Sequence, residues 1–455
     1  MKTISYKTLF FNCIIKLIVT VFRLVCYFLM LDRISNAIFI LIFIIVFIID
    51  GWGLPNGRNI SLTTLIYTPS IFMLIYTLTK KKIYIPKIAI WFSIFLFFNT
   101  LSTFNSTDFQ RSRDYLTYYF SLFLIFVYVF NNSEALKNIY VKVLFLICIL
   151  SLFYGVAFKF FLSSYFTFLV PSHGYQLIHP YAGFLTHHPI GVVGLLLVTM
   201  IMVGLFYKVT IFQVLLLIIS LTSLAISYMR AGYVSLFGSL LLLLYKYRKI
   251  PIKIFTMIVG TLFVVLFAFI LVTSPNNNYA PIKDIFKIKT DHVNLYNKTL
   301  LNARDKYYLQ SLHAIVTRPI FGYGPNNFVT ASRKYAQNDA VITETSTNIF
   351  LDLIVENGVV AGIAITYFFI AIVINAYRSV SLRDITGMKL FMVYMALLIL
   401  FQFSYYHGSH TVFLIFIIVG AAICKENKSE IDTYRLTLTA SFLIPLIHII
   451  GRLAF

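Results

Sequence analysis

Three polar side chains recur every four residues where a polar stretch of the sequence passes into an apolar one. In TNIFLDLIVENGVVAG they are Asn348, Asp352 and Glu356. A four-residue interval places side chains on one face of an α-helix, so this face carries an amide and two carboxylates. Such groups could bind a polar substrate, and a carboxylate could accept its proton. The alternative is that Asp352 and Glu356 pair with neighbouring Arg or Lys residues and brace the adjoining loop.

Two arginines are candidates for binding an anion, because a guanidinium group can bind phosphate oxygens through two hydrogen bonds. Arg230, in LAISYMRAGYVSLF, lies between two apolar segments joined by almost no loop. An ionisable group this close to a bilayer is typical of a functional site, although an arginine at a helix end also reaches headgroup phosphates. Arg304, in NARDKYYLQSLHAIV, could instead be a solvated helix charge paired with Asp305 or Asp291.

The segment RPIFGYGPNN predicts a tight turn. It combines Pro319 and Pro325 with Gly322 and Gly324, and glycine adopts positive φ without a steric penalty. A single Gly-x-Gly pattern is only a weak indication of a phosphate-binding loop. We include both glycines and Arg318, which precedes the turn, among the candidate substrate-binding residues.

Histidines and cysteines give no indication of a metal site. His187 and His188 form one pair, in GFLTHHPIG, and His407 and His410 form another, in YYHGSH. Zinc sites need three or four ligands, so we interpret both pairs as hydrogen-bonded histidines at the membrane interface and predict no metal or other cofactor. The cysteines lie in or beside apolar segments without ligand spacing and are predicted to be packing residues: Cys13, Cys26, Cys148 and Cys424.

The composition predicts an all-α polytopic membrane protein. Of the 455 residues, 60% are hydrophobic and 12% are charged, whereas soluble domains have about 45–50% apolar and about 25% charged residues. The net charge of +21 comes from short basic runs between apolar segments. This distribution is typical of cytoplasmic membrane loops rather than of a nucleic-acid-binding surface, so we predict no nucleic-acid partner.

Thirteen apolar stretches are long enough, or nearly so, to cross a hydrocarbon core of about 30 Å. We predict about twelve transmembrane helices from them. The stretches are 35–50, 60–78, 86–104, 115–130, 139–158, 188–206, 209–228, 231–245, 254–273, 359–377, 388–405, 411–424 and 436–455.

The distribution of basic residues predicts the orientation. If TKKK at 79–82 is cytoplasmic, the connections on that side carry seventeen Lys and Arg residues, against five in the short loops opposite. The positive-inside rule then places the N-terminus in the cytoplasm and the long segment 274–346 outside. Loops this long are usually functional or disordered, and the aromatic and aliphatic content of this one predicts a structured cap that includes a helix over 301–317.

These observations divide the chain into five parts. They are an amphipathic N-terminal segment at the cytoplasmic interface (1–34), transmembrane helices 1–9 (35–273), the outer loop (274–346), a re-entering helix with transmembrane helices 10–12 (347–424), and a cytoplasmic connector with a last apolar segment (425–455).

Three sequence motifs carry a resemblance to a known family. They occur in this order along the chain and are predicted to lie on the outer side of the membrane. SYMRAGYVSLF, ARDKYYLQSLHAIVTRPIFGYGPNNF and TNIFLDLIVENGVVAG together resemble the bacterial O-antigen ligase/polymerase superfamily, and YAGFLTHHPIGVVG looks like a fourth element of that family. The resemblance covers roughly 180–377. It implies a transferase that takes a glycan from undecaprenyl pyrophosphate, in which an acceptor hydroxyl attacks the anomeric carbon and lipid pyrophosphate leaves.

The resemblance also implies residue roles. Arg230 and Arg304 match two family arginines that would bind the pyrophosphate, and the reaction is expected to need no metal. Family ligases usually carry His-Asn at the start of the IFLDLIVENG helix, where this chain has Thr347 and Asn348. Threonine cannot act as a general base. Glu356, Asp352, His187, His188 and His313 stay open as alternatives.

The absence of that histidine favours a polymerase of a surface polysaccharide over a ligase. The rival from another class is a flippase for lipid-linked oligosaccharides, but transporters usually contain two similar halves, and no internal repeat is visible here. The expected location is the bacterial inner membrane. The expected partners are the lipid-linked oligosaccharide, membrane lipids, a chain-length regulator and a flippase.

Overall fold

The computed structural model describes eleven parts of the chain: 84–157, 190–205, 207, 209–226, 230–246, 260, 307–335, 346, 348–381, 383–402 and 410–425. Several predictions lie outside the described residues. They are the N-terminal segment 1–34, the apolar stretches 35–50, 60–78, 254–273 (apart from Gly260) and 436–455, and the site residues His187, His188, Arg304 and Thr347.

The described residues form twelve helices and no strand, which confirms the all-helical class. They are α1 (Ala89–Phe104), α2 (Phe109–Asn131), α3 (Ser133–Ala157), α4 (Ile190–Leu205), α5 (Ile211–Ile226), α6 (Arg230–Lys246), α7 (307–317), α8 (Phe328–Tyr335), α9 (Ile349–Asn357), α10 (Val359–Ser379), α11 (Ile385–Leu400) and α12 (His410–Ile423).

Two of the described helices, α2 and α10, are long and apolar enough to cross a membrane, and six shorter helices are also apolar. A helix that is apolar on all sides must be buried in protein or lipid. These helices therefore indicate a membrane protein. The number of about twelve transmembrane helices stays a prediction.

Aromatic side chains hold α1, α2, α10 and α12 together. The Phe368 ring of α10 lies 5.0 Å from the ring of Phe92 on α1 and 5.0 Å from that of Phe126 on α2. Phe369, one residue further, meets Phe416 of α12 at 4.9 Å. Aromatic pairs at such distances contribute beyond the area they bury. This packing joins the middle of α10 to α1, α2 and α12.

A second set of contacts joins α4 to α5 and α6 to α11. A Cβ on Gly194 of α4 would lie 2.7 Å from the backbone oxygen of Ser220 on α5, and one on Gly238 of α6 would lie 2.8 Å from the Ile399 side chain of α11. Cys148 and Cys424 are both buried, as predicted for packing residues. Cys13 and Cys26 lie outside the described residues.

Candidate functional site

The predicted tight turn is confirmed at 318–327. Gly322, Gly324 and Asn326 have φ angles of 65°, 99° and 57°, in the left-handed region that residues with a Cβ rarely adopt. A Cβ on Gly322 would lie 2.5 Å from the backbone oxygen of Glu356, and one on Gly324 would lie 2.6 Å from Ser112 Oγ and would clash with the Cβ of Ser106. Both glycines are therefore required by conformation and by space.

The turn is hydrogen-bonded to the end of α9 and the start of α10. Tyr323 N–H donates to the Val355 carbonyl at 3.0 Å, Gly324 N–H donates to the Glu356 carbonyl at 2.8 Å, and Val359 N–H donates to the Pro319 carbonyl at 2.8 Å. The first two bonds satisfy the Val355 and Glu356 carbonyls at the C-terminus of α9, which have no partner within that helix. The turn and the α9–α10 junction therefore form one unit, which we call the turn–α9 unit.

The corner between α1 and α2 closes onto the same unit through buried polar side chains. Asn99 Nδ2 donates to Asn357 Oδ1 at 2.6 Å, and Ser102 Oγ donates to the Glu356 carbonyl at 2.8 Å. On the α2 side, Asn327 Nδ2 donates to Ser112 Oγ at 2.7 Å. Buried polar groups need such partners, since each unsatisfied one costs about 1–3 kcal/mol.

Sequence reasoning did not find this corner as part of the site. The available signal was the presence of Asn99, Ser102 and Thr103 in the otherwise apolar stretch 86–104, and all three are buried. Polar residues at the buried end of an apolar helix indicate a polar partner in another segment.

The Glu356 carboxyl lies beneath the turn, and its side chain is 2% exposed. It accepts hydrogen bonds from the backbone N–H groups of Asn326 and Phe328, the latter being the first residue of α8. Burial and the neighbouring Asp352 raise the pKa of Glu356 to about 8, against the opposing effect of these N–H groups and of Arg111. Burial at this site therefore favours the protonated form of the carboxyl.

Asp352 and Asn348 fix the segment that precedes α9. The Asp352 carboxylate accepts hydrogen bonds from the Ser346 backbone N–H at 2.7 Å and from the Ser346 hydroxyl at 2.6 Å. Asn348 Oδ1 accepts from the N–H groups of Phe350 and Leu351 at 2.9 and 3.2 Å. Ser346 and Asn348 are thus held on either side of position 347.

The helix α9 begins later in the chain than the sequence predicts. It begins at Ile349 rather than at Thr347, and Asn348 is its N-cap, in extended backbone outside the helix. Asn348 therefore satisfies helix N–H groups instead of sharing a helical face with Asp352 and Glu356. Asp352 accepts hydrogen bonds from Ser346, and Glu356 accepts them from the backbone N–H groups of Asn326 and Phe328.

Arg318, a predicted substrate-binding residue, lies against the ring of Tyr323 in the same turn. Its guanidinium carbon is 4.8 Å from the centre of the Tyr323 ring. Tyr323 lies in the turn and connects to α8 and α7, because the Tyr323 and Tyr335 hydroxyls are 2.9 Å apart and the His313 ring stacks on Tyr335 at 6.2 Å. Contact with the face of the Tyr323 ring orients the arginine.

The structure thus brings together part of the predicted site. Gly322, Gly324, Asp352 and Glu356 belong to one packed region, and Arg230 is the first residue of α6. The positions of His187, His188, Arg304 and Thr347 lie outside the described residues. Within the described part of the chain, no three His, Cys, Asp or Glu side chains are grouped so that they could hold a metal ion.

A protein-family model described as O-Antigen ligase matches residues 215–366. The matched range is about a third of the chain and includes Arg230, the turn, α9 and the start of α10. It confirms the predicted resemblance to the O-antigen ligase/polymerase superfamily. No curated protein matches the chain.

Proposed function

We propose, starting from the O-antigen ligase family match of residues 215–366, that this membrane protein is a glycosyltransferase that polymerises a surface polysaccharide of the O-antigen or capsule type. The growing glycan would be transferred from undecaprenyl pyrophosphate to a lipid-linked repeat unit. The observation that carries the proposal is the rigid turn–α9 unit inside the matched region. Such a unit can hold a large, flexible substrate in the geometry that transfer requires.

In this reaction an acceptor hydroxyl oxygen bonds to the anomeric carbon of the donor sugar. The bond from that carbon to the pyrophosphate oxygen breaks, its electron pair stays on the pyrophosphate, and the hydroxyl proton passes to a base. Arg230 and Arg304 would bind the pyrophosphate, because guanidinium groups stabilise the negative charge that develops on the leaving group. This role needs no divalent metal ion.

The turn–α9 unit would shape the acceptor site. Thr347, Asn348, Asp352, Gly322, Gly324 and Arg318 are the proposed substrate-binding residues of that site. Glu356 is the candidate catalytic carboxyl, and its pKa of about 8 is near the pH at which the enzyme would work. His187, His188 and His313 are the alternative bases.

The setting of the proposal is the bacterial inner membrane, with the N-terminus in the cytoplasm and 274–346 outside. The excess of Lys and Arg in the connections on the cytoplasmic side supports this orientation. A flippase would supply the lipid-linked repeat units, and a chain-length regulator would act with the polymerase.

The test compares the glycans of cells that lack the gene, cells with the intact gene and cells with Arg230→Ala. If the protein is a polymerase, cells that lack the gene and cells with Arg230→Ala should carry surface glycans of a single repeat unit and no polymer. Arg378→Ala is the matched control, because Arg378 is exposed at the end of α10 and outside the matched range. Both variants must reach the membrane in normal amounts, and normal chain length in Arg230→Ala would contradict the proposal.

An O-antigen ligase is the second candidate, since the matching family carries that description. The same experiment separates the two functions. Polymer that is made but stays on undecaprenyl pyrophosphate would identify a ligase. Single repeat units trapped on the cytoplasmic face would identify a flippase instead of an enzyme.

A further inference from the structure

An exposed apolar stripe runs along α7 and into the turn that follows it. Its members are Leu309, Leu312, Val316 and Ile320, whose side chains are 56%, 53%, 79% and 56% exposed. Leu309, Leu312 and Val316 follow helical spacing and share one face of α7. The opposite face is buried against the rest of the protein through Tyr307, Gln310, Ser311 and Ala314.

This stripe is unusual for its place in the chain. The helix α7 belongs to the segment 274–346, which the charge distribution predicts to lie outside the membrane, and it is not one of the candidate spans. A helix that covers a protein in water normally presents polar residues on its outer face. A row of exposed Leu, Val and Ile residues instead marks a surface that contacts protein or lipid.

The stripe continues into the exposed apolar face of a candidate span. Val359 N–H, at the start of α10, donates to the Pro319 carbonyl at 2.8 Å, which places Ile320 beside the first turn of α10. The exposed apolar residues of α10 begin at the same end and run along the helix: Val360, Ile363, Tyr367, Ile370 and Ile374. In a membrane that face contacts acyl chains, so the α7 stripe extends a lipid-facing surface.

The charge of the same segment favours a phospholipid surface as the occupant. From Tyr307 to Tyr335 the sequence contains Arg318, Arg333 and Lys334 but no Asp or Glu. Arg333 and Lys334 are exposed on α8. Basic residues beside an apolar helix face are typical of helices that lie in a membrane interface and contact headgroup phosphates.

We propose that α7 lies in the interface of the outer leaflet. Its stripe (Leu309, Leu312, Val316 and Ile320) contacts the upper acyl chains, and Arg333 and Lys334 of α8 contact headgroup phosphates. This inference goes beyond the proposed transfer reaction, because it concerns how the outer segment is held at headgroup depth. Its failure would leave the assignment of the enzyme untouched.

The test measures the membrane depth of spin labels on the full-length protein. The protein is placed in nanodiscs of phosphatidylethanolamine and phosphatidylglycerol, with its four native cysteines replaced by serine or alanine. A nitroxide is attached to Val316→Cys, and in a second variant to Leu312→Cys. Its accessibility to oxygen, which partitions into lipid, is compared with its accessibility to a water-soluble nickel chelate.

Two further positions are labelled in the same discs. Ile363→Cys, on the exposed face of α10, gives the reference value for acyl chains, and the proposal predicts headgroup depth for a label at Arg333→Cys. Phospholipids labelled on the headgroup and along the acyl chain calibrate the scale. We expect the oxygen-to-nickel ratio at positions 316 and 312 to be severalfold higher than at 333 and to approach that at 363.

Two results would overturn the proposal. A ratio at positions 316 and 312 equal to that of a label in bulk water would mean that the stripe faces water. Low accessibility to both reagents would mean that protein covers the stripe, either another segment of this chain or a second copy. Dilution of labelled with unlabelled protein would then separate these two occupants.

Discussion

The backbone N–H of Gly324 donates to the backbone carbonyl of Glu356 at 2.8 Å. This bond connects the glycine-rich turn to the last turn of α9. It requires the two backbones to approach more closely than any residue with a side chain at 324 would allow, because a Cβ there would meet Ser106 and Ser112. The shape of the candidate site therefore depends on a residue that offers no functional group of its own.

Gly324→Ala is expected to destabilise the protein and disrupt the turn. The φ angle of 99° is strained for alanine, which costs about 1–3 kcal/mol, and the steric clash adds about 1–3 kcal/mol. The measurement is the thermal unfolding temperature of the purified protein in detergent. Gly260→Ala is the control, because a Cβ at Gly260 would meet no atom of the described residues within 4 Å. Equal effects of the two substitutions would contradict the close approach at 324.

Glu356 is expected to make stability depend on pH. Since burial raises its folded-state pKa from 4.5 to about 8, the folded protein binds more protons than the unfolded chain between these values. Its contribution to stability is therefore fully present below about pH 4.5 and is lost as the pH rises to about 8, by about 1.4 kcal/mol per pKa unit at most. Glu356→Gln, which resembles the protonated form, should remove this dependence.

The measurement is the unfolding temperature of the wild-type protein and of Glu356→Gln across this pH range. Glu134→Gln, at an exposed glutamate on α3, is the control and should leave the pH dependence unchanged. Parallel wild-type and Glu356→Gln curves would refute the raised pKa. The same variant separates bracing from catalysis, because retained polymer synthesis would indicate a bracing carboxyl, and loss of synthesis at a normal protein level would indicate proton transfer.

Asp352→Ala is expected to release the segment before α9. The substitution removes both hydrogen bonds from Ser346, and each bond to a charged acceptor contributes about 1.5–3 kcal/mol. Ser346→Ala keeps the backbone N–H bond to Asp352 but removes the hydroxyl, which also lies 3.0 Å from the Asn348 carbonyl oxygen and accepts from the Asn348 N–H at 3.2 Å. Hydrogen exchange of the amides at 346–350 measures both effects, and the double variant should show less than their sum because both substitutions remove the same hydroxyl–carboxylate bond. Additive effects of the two substitutions would show that the residues do not interact.

Asp384 is expected to stabilise the junction of α3, α11 and α12. Its carboxylate pairs with Lys137, lies 3.6 Å from Lys425 Nζ, and caps α11 by accepting from Gly387 N–H at 2.9 Å. Partial burial acts to raise the pKa of Asp384, but Lys137, the Gly387 N–H and Lys425 outweigh it and lower the pKa. The stabilising effect should therefore be present above about pH 4 and be lost at lower pH.

Two substitutions separate the charge of Asp384 from its role as a cap. Asp384→Asn keeps a good N-cap and loses the ion pair, whereas Asp384→Ala loses both. The expected order of unfolding temperature at pH 7 is wild type, then Asn, then Ala, and the cap itself is worth about 1 kcal/mol. The difference between wild type and Asp384→Asn should shrink in acid. A constant difference down to pH 3 would refute the ion pair.

The sequence located most helices because a long apolar run has few alternatives to a helix. The stretch 359–377 became Val359–Ser379, and 209–228 became Ile211–Ile226. Spacing also placed Asp352 and Glu356 together, but it could not show where the helix begins, and so Asn348 was assigned to the helical face instead of the N-cap. Whether a polar residue caps a helix or lies on its face depends on the backbone angles of that residue, and the spacing of residues in the sequence does not specify these angles.

The corner between α1 and α2 could not be placed in the site from sequence because its partners are remote. Asn99 and Asn357 are 258 residues apart, and Ser112 and Asn327 are 215 residues apart. The sequence shows that Asn99 is a polar residue within an apolar stretch. A single sequence does not show which of several polar residues is its hydrogen-bond partner. The pKa of Glu356 has the same origin, because it depends on burial under a turn from another segment.

The bond between Asn99 and Asn357 also sets an order of events during biosynthesis. The α1–α2 corner enters the membrane long before α9 has been translated, so its buried amide and hydroxyls must wait for a partner about 250 residues later in the chain. Closing so long a loop is slow. A nascent chain that stops before α9 would expose this polar corner to lipid, which gives membrane proteases a physical mark by which to recognise an incomplete copy.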